Sequence, residues 1–164
     1  MHFGVFDLFK IGVGPSSSHT VGPMKAARLF LERMDTERGL EAVKRVQAEA
    51  YGSLALTGSG HATDKAILWG LEGVEPETAD PDALPGRIDR IAAEKTIKLL
   101  DRREIAFDRS KDLLFKGETR LPFHSNAMKF RAFDDQGEAL REEIWYSIGG
   151  GFVIDEAEAG RNSA

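Results

Sequence analysis

Apolar residues recur at helical spacing over 24–34 (MKAARLFLERM), where Ala27, Phe30, Leu31 and Met34 share one face. Pro23 suits the first helical position and Gly22 precedes it, so the spacing predicts a helix beginning there. The stretch 43–56 reads as a strand kinked at Gly52. A glycine-rich turn, Gly58-Ser59-Gly60, leads into a second predicted helix over 62–71. Pro, Asp and Glu dominate 75–86, which predicts a surface loop, and Ile88, Ile91, Ala92, Ile97 and Leu100 predict a helix over 88–100.

Beyond Glu104 the period changes to two. Ile105 and Phe107 alternate with polar neighbours, 113–115 follows, and Met128, Phe130 and Ala132 line one side of 127–133. Another strand is predicted over 143–148, joined to the previous one by a hairpin turn at Asp134-Asp135-Gln136-Gly137. After Asp155 the tail has no apolar anchor and reads as a linker or frayed end. Early helices and late antiparallel strands predict an α+β fold: one domain over 1–155, mainly antiparallel, with helices on one face, and a tail over 156–164.

Composition narrows the function classes. The 164 residues are 41% hydrophobic and 30% charged, which suits an ordinary core and excludes wholesale disorder. The 22 basic and 27 acidic residues leave a net charge of −5, so nothing favours a nucleic-acid backbone as main partner. No run of roughly 18 apolar residues occurs and no cleavable leader is recognisable, so a cytoplasmic protein without membrane contact is expected. There are no cysteines, which removes disulfides, thiolate metal sites and cysteine nucleophiles.

Four clusters carry candidate chemistry. Gly14-Pro15-Ser16-Ser17-Ser18-His19-Thr20 precedes the first helix, and hydroxyls with free N–H groups at a helix start suit a carboxylate or phosphate. The plain alternative is capping by one of these side chains. Thr57-Gly58-Ser59-Gly60-His61-Ala62-Thr63-Asp64-Lys65 reads as a strand-to-helix junction that lets backbone approach a ligand. His61 at its mouth suits general acid–base work; alternatively Thr63 or Asp64 caps the helix and His61 is a surface residue. In Leu121-Pro122-Phe123-His124-Ser125-Asn126, His124 and Asn126 would share one strand face and position a small polar ligand; the alternative is a turn before a strand. Tyr146-Ser147-Ile148-Gly149-Gly150-Gly151 allows an unusual turn or a flexible joint. A P-loop, a GxSxG elbow and an HExxH metal motif are all absent, which disfavours a Ser18–His61–Asp64 hydrolase triad.

Phe6 to Val13 running into GPSSSHTVGPM, with YGSLALTGSGHATDKA, LPFHSNAM and YSIGGGFVIDE in order, resembles the β domain of the iron–sulfur L-serine dehydratases. That domain is similar to one appended to some D-3-phosphoglycerate dehydrogenases, where it serves serine control. The resemblance implies deamination of L-serine to pyruvate and ammonia without pyridoxal phosphate. It implies a 4Fe–4S cluster held by cysteines of a separate α domain or subunit. A homodimer is expected only as the common default for soluble enzymes. Ser16, Ser17, Ser18, His19 and Thr20 would line the substrate pocket with Gly60, Thr63, Asp64 and Asn126, and His61 and His124 would be the catalytic candidates. Ser59 stands where many relatives are expected to carry lysine. The missing cysteines then mean that this chain alone is an incomplete catalyst. A serine-binding regulatory module and a dimerisation module are the alternatives.

Overall fold

A computed structural model describes residues 18–58 and 62–162. Helix α1 (Val21–Arg38) begins earlier than the apolar spacing suggests, with Pro23 as its third residue. A 3-10 turn (Leu40–Ala42) leads to β1 (Arg45–Tyr51). At Gly52 the backbone turns left-handed (φ 53°), and the chain winds into α2 (Gly52–Gly58) rather than extending the expected strand. The second motif therefore joins two helices, since α3 (Thr63–Leu71) follows it.

Helix α4 (Leu84–Glu94) ends at Lys95, whose φ of 53° breaks the helix expected over 88–100. Thr96 and Ile97, β-branched, open β2 (Thr96–Leu99), which pairs with β3 (Arg103–Ala106) in a small antiparallel ribbon. A short α5 (Arg109–Asp112) precedes β4 (Leu113–Lys116). Strands β5 (Asn126–Phe133) and β6 (Ala139–Gly149) meet at the predicted hairpin, where Gly137 takes φ 79° and the Asp134 carboxylate accepts the Gln136 and Glu138 N–H groups. Strand β7 (Phe152–Asp155) completes the sheet.

The sheet order is β4-β1-β5-β6-β7; only β1 and β4 run parallel. This is the single-domain, mainly antiparallel α+β fold that the sequence predicts. Alternation sends Val46, Ala48, Ala50, Met128, Phe130, Ala132 and Trp145 into one core, where Phe30 of α1 stacks on Phe130 at 5.5 Å. Helix α3 packs on α1 so closely that Gly70 has no room for a side chain: a Cβ there would lie 2.2 Å from the Met24 carbonyl oxygen. The opposite sheet face carries Tyr51, Ala127, Tyr146 and Ile154. Here the tail departs from expectation. Residues 156–162 form α6 (Glu156–Asn162), with Ala159 3% exposed against this cluster and Glu156 accepting the Tyr146 hydroxyl hydrogen (2.6 Å). One alanine at the right place anchors a turn that hydropathy leaves blank. No described helix is long and apolar enough to cross a membrane.

Candidate functional site

The site is built where β1 ends and β5 begins. Ser18, His19 and Thr20 form the turn that enters α1. Thr20 occupies the cap position without a capping hydrogen bond from its side chain. A capping oxygen accepts from the second or third helical N–H, and here the third residue is Pro23, which has none. The Thr20 side chain therefore does not act as this cap. The start of α1 is buried from Thr20 to Met24, so its N–H groups and dipole act in a partly desolvated place.

His19 joins the turn to the sheet. Its Nδ1 shares a hydrogen bond with the Ser18 hydroxyl (2.9 Å). Burial pushes the imidazole below its ordinary value, and a hydrogen bond to the Ser53 backbone offsets part of that effect. The Thr63 hydroxyl donates to the His19 carbonyl (2.6 Å), tying the start of α3 to the same turn. Asp64, next along, is buried and its carboxylate accepts from the Arg109 guanidinium (2.6 Å). That pairing commits Asp64 to fixing α3 against α5.

The third motif arrives from the other side. The Ser53 N–H donates to the Ser125 carbonyl (3.2 Å), the two hydroxyls lie 3.0 Å apart, and Gly52 bridges Asn126. His124 is not on a strand, because β5 begins only at Asn126. Instead of sharing a strand face, the two residues interact directly: the Asn126 N–H donates to Nδ1 of His124 (3.0 Å). With Nδ1 accepting, a ring hydrogen of His124 is carried by Nε2.

First and third motifs, about a hundred residues apart, thus meet around Ser53. Ser16, Ser17, Gly60 and His61, and Ser59 with them, lie outside the described residues. The structure adds Ser53, Ser125 and Ser147, which pattern reading passes over. Ser53 falls within the run that reads as a strand, and Ser125 is hidden between His124 and Asn126. Ser147 sits in a glycine-rich motif that reads equally as a joint. The one signal available for Ser53 was its place beside Gly52, where a left-handed turn redirects the chain. Among the described residues no group of three or more His, Asp or Glu gathers as a metal site.

Comparison with known proteins gives the family of the chain. Residues 4–158 match the family described as Serine dehydratase beta chain. The chain is 48% identical over 160 residues to L-serine dehydratase of Streptomyces coelicolor, covering 98% of this chain and 35% of that protein. It is 44% identical over 161 residues to L-serine dehydratase 1 of Escherichia coli, with 98% and 35% covered. Against an L-serine dehydratase of Helicobacter pylori the identity is 45% over 157 residues, with 95% and 34% covered. The chain spans about a third of the length of these curated relatives. The matched span contains every element of the sheet and all the motifs that meet at its end, and the chain belongs to the serine dehydratase beta chain family.

Proposed function

We propose that this chain is the substrate-pocket part of an L-serine dehydratase, which converts L-serine to pyruvate and ammonia. The observation that carries this reading is the meeting of the Ser18–His19–Thr20 turn with Ser53, Ser125 and Asn126 at one end of the sheet. An iron–sulfur cluster would have to be ligated elsewhere: with no cysteine, the residues of this chain do not fit as its ligands.

The residues of this chain divide the remaining work. The buried start of α1, with Ser18 and Thr20 and the adjoining Ser16 and Ser17, receives the substrate carboxylate. The resemblance adds Gly60 to that pocket, and Thr63 and Asp64 hold α3 in position. His61 and His124 are the acid–base candidates. Loss of the Cα proton to one imidazole and departure of the β-hydroxyl as water give aminoacrylate. Aminoacrylate tautomerises to the imine, and hydrolysis of the imine releases ammonia and leaves pyruvate.

The test is anaerobic reconstitution with the cluster-bearing partner, followed by pyruvate formation from L-serine. His61→Ala and His124→Ala should each lower kcat by about a hundredfold or more. Full activity in both variants removes the catalytic assignment. Binding of L-serine by an assembled protein that forms no pyruvate would favour a regulatory module instead.

A further inference from the structure

We infer that Ser147, together with Asn126, forms the floor of this pocket and accepts hydrogen bonds from the ammonium group of a small amino-acid substrate. The inference rests on the serine dehydratase reading above.

Three residues make one row across the end of the sheet. Gly52 bridges Asn126, and one further step of the β5–β6 register beyond Ala127↔Tyr146 brings Asn126 opposite Ser147. Alternation along β6 puts Ser147 on the face of Trp145, the face that α1 covers. Regular pairing of β6 with β7 breaks immediately afterwards, between Ser147 and Gly149. The turn beyond backs onto the first residue of α1: a Cβ on Gly151 would lie 3.1 Å from Val21 Cγ1. At the other end of the row, His19 reaches the Ser53 backbone. The entry to α1 therefore lies over the row from Gly52 to Ser147.

Two polar atoms in that row have no hydrogen-bond partner among the described residues. Ser147 is 0% exposed and its Oγ is unpaired, as is the buried Oδ1 of Asn126. Leaving one such atom buried costs free energy, and a neighbouring pair under the same helix end is a ligand-shaped deficit. The chemistry is complementary to a zwitterion. The helix end is electropositive and suits the carboxylate, whereas an amide oxygen and a hydroxyl oxygen suit N–H donors.

Ser147→Ala in the assembled enzyme tests this. KM for L-serine should rise about tenfold or more, as expected for a lost hydrogen bond to a charged group. Competitive inhibition by 3-hydroxypropanoate, which lacks the ammonium, should stay as in wild type. Without substrate, the variant should melt at or above the wild-type temperature, because an unpaired buried hydroxyl has been removed. An unchanged KM, or a lower melting temperature without substrate, overturns the inference. Equal weakening of L-serine and 3-hydroxypropanoate overturns the ammonium contact. If wild-type enzyme makes no pyruvate, the functional reading fails first; if it does and Ser147→Ala behaves identically, only this inference falls.

Discussion

His19 shows how one side chain couples the site to stability. Burial lowers its pKa from the ordinary 6.5 and so favours the neutral imidazole in the fold, and the Ser53 backbone hydrogen bond restores only part of the loss. The unfolded chain, with an ordinary imidazole, binds more protons once the pH drops below that value. The stability linked to His19 is therefore whole above about pH 6.5 and declines as the pH falls through it. Melting curves from about pH 8 to about pH 5 should show this decline in wild type and a shallower one in His19→Asn. Parallel curves would mean that His19 is as easily protonated folded as unfolded. At this scale the sequence was readable where residue types were incongruous: Ser, His and Thr between Gly14 and Gly22 have no use in a core. Ser147 was not readable. A serine on a strand usually faces water, and only the register beside Asn126 and the cover of α1 reveal that this one is buried.

Single left-handed residues decide the elements. The hydrophobic period placed β5 and β6 correctly because each has one face against α1, and burial enforces alternation; β7, which follows the glycine turn, was not legible as a strand. It failed at Gly52 and Lys95, where one positive φ converts strand to helix or helix to strand without changing the run of apolar residues. Gly52 matters most, since the turn it makes delivers Ser53 to Ser125. A side chain there meets two obstacles: φ 53°, and the Ser125 carbonyl oxygen 2.4 Å from an added Cβ. That oxygen is backbone, already bonded to the Ser53 N–H, and cannot swing aside. Gly52→Ala should cost roughly 1–3 kcal/mol in urea unfolding, and it should weaken L-serine binding because Ser125 and Asn126 must move together. A variant as stable as wild type would show that the turn adapts without strain.

Across the whole molecule, the exposed apolar residues are gathered at one end. Among the described residues, Leu56 (65% exposed), Phe123 (37%), Ile148 (43%) and Phe152 (67%) are the large hydrophobics left to solvent. Leu56 lies on α2, Phe123 precedes β5, and Ile148 and Phe152 flank the glycine turn between β6 and β7. All four therefore surround the end of the sheet where the candidate site opens, whereas the polar face of the sheet carries ion pairs such as Arg131–Glu142. Scattered exposed apolar residues need no explanation, but a set confined to the rim of one site does. In the proposed enzyme the remaining two thirds of the protein would close over this rim and exclude water from the substrate. Leu56→Ser and Phe152→Ser touch no core contact that defines the fold, so both should melt within about 1 kcal/mol of wild type. Supplied as a separate piece, the double variant should bind the cluster-bearing domain at least about tenfold more weakly, read by titration calorimetry. Undiminished binding would mean that the partner seats elsewhere, and the apolar rim would then have to be explained by the substrate or by a second copy of the chain.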